Sequence, residues 1–131
     1  MTNAERDTIK EMFIAINTDF TIQDELKVRQ IKNKFIDNFT VDVTKEPEYV
    51  FDLLAAAYNE KNADDVEFSL YIGFAFDLFT EDFVDILCKL IEAEWHFRHE
   101  DIASILQRLK SPKAVNSLLH CGNNALEIFR I

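Results

Sequence analysis

Phe68-Ser69-Leu70-Tyr71-Ile72-Gly73-Phe74-Ala75-Phe76-Asp77-Leu78-Phe79 is the stretch that decides the fold. Its aromatic content suits a strand. Its length does not, because ordinary strands run to about six residues, and Gly73 is the only breaker within it. Joined to Ala63–Glu67, it reads as a helix capped by Asn62, with Asp64 and Asp65 in its first turn. That helix is apolar on nearly every side, so it must be covered on most of them. Two Gly and two Pro in 131 residues supply few of the tight turns that an all-β chain needs. The expectation is an all-α protein.

Helical spacing continues in both directions. Upstream, Thr2-Asn3-Ala4-Glu5 is a capping-box pattern, followed by Ile9, Met12, Phe13 and Ile16 on one face. Thr21 or Asp24 can cap a second helix, whose apolar stripe is Leu26, Val28, Ile31, Phe35 and Phe39. Thr40–Glu46 reads as a loop. Pro47 suits the first turn of a third helix, with Tyr49, Val50, Leu53, Leu54 and Ala57 inward. Downstream, Thr80 is the expected cap of a fifth helix with Phe83, Ile86, Leu87, Leu90 and Ile91 as its core face. A sixth carries Ile102, Ile105, Leu106 and Leu109. Ser111-Pro112 opens a seventh, with Ala114, Val115, Leu118 and Leu119 inward, and Gly122 can end it.

The joints at 17–21, 59–62 and 110–111 are short, which favours antiparallel neighbours stacked in chain order. Hairpins would start near residues 3, 46, 81 and 112. HEAT-type α-hairpins repeat at roughly 40–47 residues, and these starts are of that order or somewhat closer. The expected architecture is a HEAT-like α-solenoid of stacked antiparallel helix hairpins, seven to eight helices in one domain spanning 1–131.

A 48% hydrophobic composition with twelve Phe excludes a disordered acidic tail. No run reaches the ~18 apolar residues of a membrane helix, and the N-terminus is charged from the start, without an apolar signal core. Cys88 and Cys121 form neither a CxxC nor a Cys/His ligand spacing, so no structural zinc site or disulfide framework is expected. A soluble cytoplasmic protein is the expectation.

The charge is concentrated. Residues 46–101 hold fifteen Asp/Glu against Lys61, Lys89 and Arg98, in a chain of net charge −10. Such a segment repels phosphate and steers a basic partner. It can also be no more than a set of solvated helix faces.

Catalytic signatures are absent: there is no GxGxxG, P-loop or GxSxG. The one cluster with the look of a site is Trp95-His96-Phe97-Arg98-His99-Glu100-Asp101. His96, His99 and Glu100 could share a helix face, but HxxHE is not the HExxH zinc motif. The simpler reading is a turn between the fifth and sixth helices, with Trp95 in the core and Glu100 or Asp101 acidifying the next helix start. Cys88 and the Phe stripes read as core. No metal, cofactor or enzyme activity is expected.

Four strings together resemble a known family: Asn62-Ala63-Asp64-Asp65-Val66-Glu67, Leu78-Phe79-Thr80-Glu81-Asp82-Phe83, Trp95–Ile102 and Leu109-Lys110-Ser111-Pro112-Lys113-Ala114-Val115. They are similar to small bacterial HEAT-repeat-like immunity proteins of polymorphic toxin and contact-dependent growth inhibition systems. The likeness covers about residues 45–119, and WHxxHEDI is its most specific part. It implies an all-α HEAT-like fold that binds and blocks a cognate toxin domain, and it brings no catalytic residues. Family members continue past the Ser111-Pro112 hairpin with a further helix pair. Here the chain runs into His120-Cys121-Gly122-Asn123-Asn124 instead, so the last repeat is expected to be truncated.

The function expected is that of an antitoxin-type immunity protein, a toxin inhibitor that occludes the active site of a basic toxin domain such as a nuclease. The expected partner-binding residues are Asp64, Asp65, Glu67, Glu81, Asp82, Asp85, Glu92 and Glu94. No direct contact with nucleic acid or membrane is expected. The alternative is a generic HEAT-like protein–protein interaction scaffold without inhibitory role. An enzyme using His96, His99 and Glu100 ranks third.

Overall fold

The computed structural model describes residues 1–18 and 25–110. It contains α1 (Asn3–Thr18), α2 (Glu25–Asn38), α3 (Glu48–Glu60), α4 (Ala63–Phe76), α5 (Val84–Glu92) and α6 (His99–Leu109), with a 3-10 turn at Glu81–Phe83. Among the described residues there are six α-helices and no strand. The seventh helix expected from Ser111-Pro112, a cap at Thr21 or Asp24, and Cys121 lie outside them.

Two of the start signals act as their residue types dictate. The Thr2 N–H donates to Glu5 Oε1 at 2.8 Å and the Glu5 N–H donates to Thr2 Oγ1 at 3.1 Å, the reciprocal capping box. Asn62 Oδ1 accepts the Asp65 N–H at 3.1 Å. Pro47 stands one position outside α3. Thr80 departs from expectation: its backbone is extended and its side chain makes no capping bond, so a 3-10 turn precedes α5.

Three helix ends rest on non-glycine residues in the left-handed region, Lys61, Asp77 and Lys110, each with φ 52°. That conformation costs a residue with a Cβ on the order of 1–2 kcal/mol. At Lys61 and Asp77 it is held because the next amide closes the helix. The Asn62 N–H reaches Ala57 O at 2.9 Å and the Leu78 N–H reaches Gly73 O at 3.0 Å. This closure ends α4 at Phe76, three residues short of the apolar run, and returns Leu78 and Phe79 to the core.

Helices pack as hairpins: α1 with α2, α3 with α4, α5 with α6. Helix α4 of the middle hairpin lies on α1, and α3 of the same hairpin lies on α5. One buried cluster connects all three, with Leu54, Leu70, Leu87, Leu90 and Ile102 fully enclosed. Two residues expected in it stand outside. Leu26 is 63% exposed at the start of α2, where packing on the core is described from Ile31 onward. Phe13 is 50% exposed and meets Tyr71 of α4 edge-on, with ring centroids 5.1 Å apart. Among the described residues no helix is long and apolar enough to cross a membrane.

Candidate functional site

The cluster singled out in the sequence is the joint between α5 and α6. The last carbonyls of a helix lack the usual i+4 partners; here Leu90 O takes the Ala93 N–H at 3.1 Å, and two histidines add bonds at this helix end. His96 Nε2 lies 2.5 Å from Leu90 O and His99 Nε2 lies 2.5 Å from Ala93 O. A carbonyl only accepts, so each Nε2 carries its proton. The other nitrogen of His96, Nδ1, accepts the Arg98 N–H at 3.1 Å. One donor and one acceptor on the same ring make a neutral imidazole of defined tautomer. The two rings stack, with centroids 4.2 Å apart and planes 13° apart. Burial pushes the pKa of His96 below its ordinary value. The bond to Leu90 works the other way, and the charge of His99 adds to the lowering.

His96, not Trp95, is the buried member of this joint. It is 1% exposed, whereas Trp95 is half-buried against Tyr58 of α3, with ring centroids 6.3 Å apart. The reason is that the imidazole can bond a helix end on both sides while the indole offers a single donor. Arg98 reaches across to Glu67 of α4 and lies 3.8 Å from Asp101. Phe97, between two tied residues, is 88% exposed. Glu100 and Asp101 occupy the first turn of α6, where acid suits the helix dipole. Among the described residues no group of three His, Cys, Asp or Glu is placed to hold a metal ion. Cys88 is buried on α5.

The acidic residues divide into two groups and one exception. Asp64 and Glu67 are exposed on α4, and the Arg98 bridge ties Glu67 to the α5–α6 joint. Glu81 and Asp82 on the 3-10 turn, Asp85 and Glu92 on α5, and Glu94 on the joint are all exposed. The face of α5 opposite these acids is buried through Ile86, Leu87, Leu90 and Ile91, so its carboxylates turn away from the core. Asp65 is the exception and a correction: it is 2% exposed and bonded on both oxygens by Arg6 of α1. Asn62 Nδ2 also donates to its Oδ2 at 3.1 Å. It joins two hairpins, with both carboxylate oxygens engaged inside the protein.

Two features escaped the sequence. Glu5 is 5% exposed and accepts from the Thr40 hydroxyl at 2.9 Å and the Tyr49 hydroxyl at 2.5 Å. Burial alone would raise its pKa, but the bonds from Thr2, Tyr49 and Thr40 outweigh it and hold the carboxyl below the usual value. The second feature is a groove of about 350 Å³ between α1 and α4, floored by Ile9, Phe13, Phe68, Tyr71 and Phe74. The all-round apolarity of α4 is the signal that bears on it. Its core side is covered, and Phe74 on this side remains 42% exposed.

No protein-family model matches this chain, and no curated protein or solved structure matches it.

Proposed function

We propose that this chain is an immunity protein that binds a basic toxin domain, such as a nuclease, and occludes its active site. The observation that carries the reading is the exposed acid of residues 64–94. Seven of the eight carboxylates expected to meet a partner stand at the surface, on helices with a well-buried core behind them. A nuclease cleft is basic because it holds phosphate. An acidic surface on a rigid helical frame competes for that cleft and accelerates encounter, up to about 10⁸–10⁹ M⁻¹s⁻¹ at low salt against about 10⁵–10⁶ without steering. Successive hairpins packed in chain order support a HEAT-like solenoid as the frame. The absence of an enzymatic motif and the engagement of His96 and His99 by backbone groups favour binding over catalysis.

The scaffold reading draws on one observation, the apolar groove between α1 and α4, which borders the acidic surface at Glu67, Arg98 and Asp101. Co-purification with the product of the gene immediately upstream, followed by an activity assay on that product, separates the two. Stoichiometric loss of toxin activity supports immunity. A complex in which activity is intact supports the scaffold. No complex removes both readings for that product.

A further inference from the structure

The α5–α6 joint presents one aromatic side chain to solvent from a backbone that is fixed on both sides. Phe97 is 88% exposed, the most exposed of the large apolar residues described. Its predecessor, His96, is 1% exposed and bonded through both ring nitrogens. Its successor, Arg98, is bonded through its amide to His96 and through its guanidinium to Glu67 of a different hairpin. His99 then stacks on His96 and ties Ala93. Among the described residues nothing packs on the Phe97 ring, yet the bonds around it fix its backbone. Backbone held this way needs little further ordering on binding, and buried aromatic anchors carry much of the energy of an interface.

The surroundings select the partner's chemistry. Glu92, Glu94 and Glu100 flank Phe97 in the sequence and are all exposed. Arg98, the one cation of the joint, is already bonded to Glu67 and lies close to Asp101. An apolar ring amid carboxylates fits an apolar pocket rimmed by Lys or Arg. We infer that Phe97 is the anchor by which this protein docks a basic protein partner, inserting into an apolar pocket with a cationic rim. This rests on the reading of the acidic surface as a partner surface and divides the labour within it: the carboxylates govern association, and Phe97 governs dissociation.

The test is binding kinetics of the full chain against the purified product of the upstream gene at two salt concentrations. Phe97→Ala is expected to raise the dissociation rate by about thirtyfold or more. The association rate and its salt dependence should stay within about twofold, and the melting temperature should not move. Phe97→Tyr should restore most of the residence time. If Phe97→Ala dissociates like the unaltered protein while association remains salt-steered, the anchor is wrong and the acidic reading stands. If binding by the unaltered protein shows no salt steering, or does not occur, the acidic reading falls and the anchor with it.

Discussion

Arg6 grips Asp65 through two parallel hydrogen bonds, Nε to Oδ1 at 2.8 Å and Nη2 to Oδ2 at 2.9 Å. The pair fastens α1 to the first turn of α4 across 59 residues of chain. Asp65 thus satisfies its own helix start through Asn62 and a neighbouring hairpin through Arg6. Its bond also holds the Arg6 guanidinium above its usual pKa, with burial opposing and the charges of Asp65, Glu60 and Asp64 adding to it.

Removing Arg6 leaves the buried Asp65 only the Met1 ammonium, 4.0 Å away, as counter-charge, and removing Asp65 leaves a partly exposed guanidinium without its bidentate acceptor, so the two losses are coupled. Asp65→Ala should lower the melting temperature by on the order of 5 °C or more. Arg6→Ala should lower it too, and the double variant should fall short of the sum. Thermal melts of the four proteins give the coupling directly. Additive losses would mean that the two residues act independently.

His96 imposes a pH dependence of definite sign. Its native pKa lies below the unfolded value of about 6.5, so the unfolded chain takes up a proton first as pH falls. Its contribution is full above about 6.5 and is lost as pH drops from there through the lower native value. The loss is at most ~1.4 kcal/mol per pH unit. Protonation would also set an N–H at Nδ1 against the Arg98 amide it now accepts. Urea unfolding between pH 8 and 5 should show this slope, and His96→Gln should flatten it near pH 6. Glu5, whose pKa is also lowered, loses its contribution only below about 4.5, as pH falls through its native value, so the two windows are separable.

Gly73 is read differently by sequence and by structure. As a helix interior glycine it invites replacement by Ala, worth about 1 kcal/mol in helix propensity. However, a Cβ there would come under 3.0 Å from three ring carbons of Phe79. That ring is buried and set edge-on to Phe74 and Phe83. Overpacking of this kind costs about 1–3 kcal/mol, so Gly73→Ala should destabilise on balance despite the better helix former. Combining it with Phe79→Leu should recover part of the difference in a denaturant titration. A stabilised Gly73→Ala would show that the ring moves aside freely.

Much of this fold was legible because it depends on period and punctuation. The capping box at Thr2 and Glu5, the Asn62 cap, and the buried faces of α3, α5 and α6 follow from residue types at helical spacing. What was illegible depends on distance in space. Nothing local distinguishes Asp65 from Asp64, although one is buried on Arg6 and the other faces solvent. Phe13 falls on the spacing of a buried face but meets the uncovered side of α4. The end of α4 at Phe76 was hidden because Asp77, not glycine, takes the left-handed position. At the joint, His96 and Trp95 are both plausible core residues, and only the imidazole bonds both the end of α5, at Leu90 O, and the start of α6, at the Arg98 amide.

The most direct test of the central claim is the salt dependence of association with the upstream gene product, measured for the unaltered protein and for Glu81→Lys/Asp82→Lys/Asp85→Lys. These three acids are exposed at and just before the start of α5. Their reversal should cost some helix stability, up to ~1 kcal/mol each, which a melt run alongside will register. The account predicts that association of the unaltered protein slows steeply as salt rises while dissociation changes little. It also predicts that the triple variant, still folded, associates more slowly at low salt and has lost most of that dependence. A salt-independent association rate, with the folded triple variant binding and protecting like the unaltered protein, would contradict it.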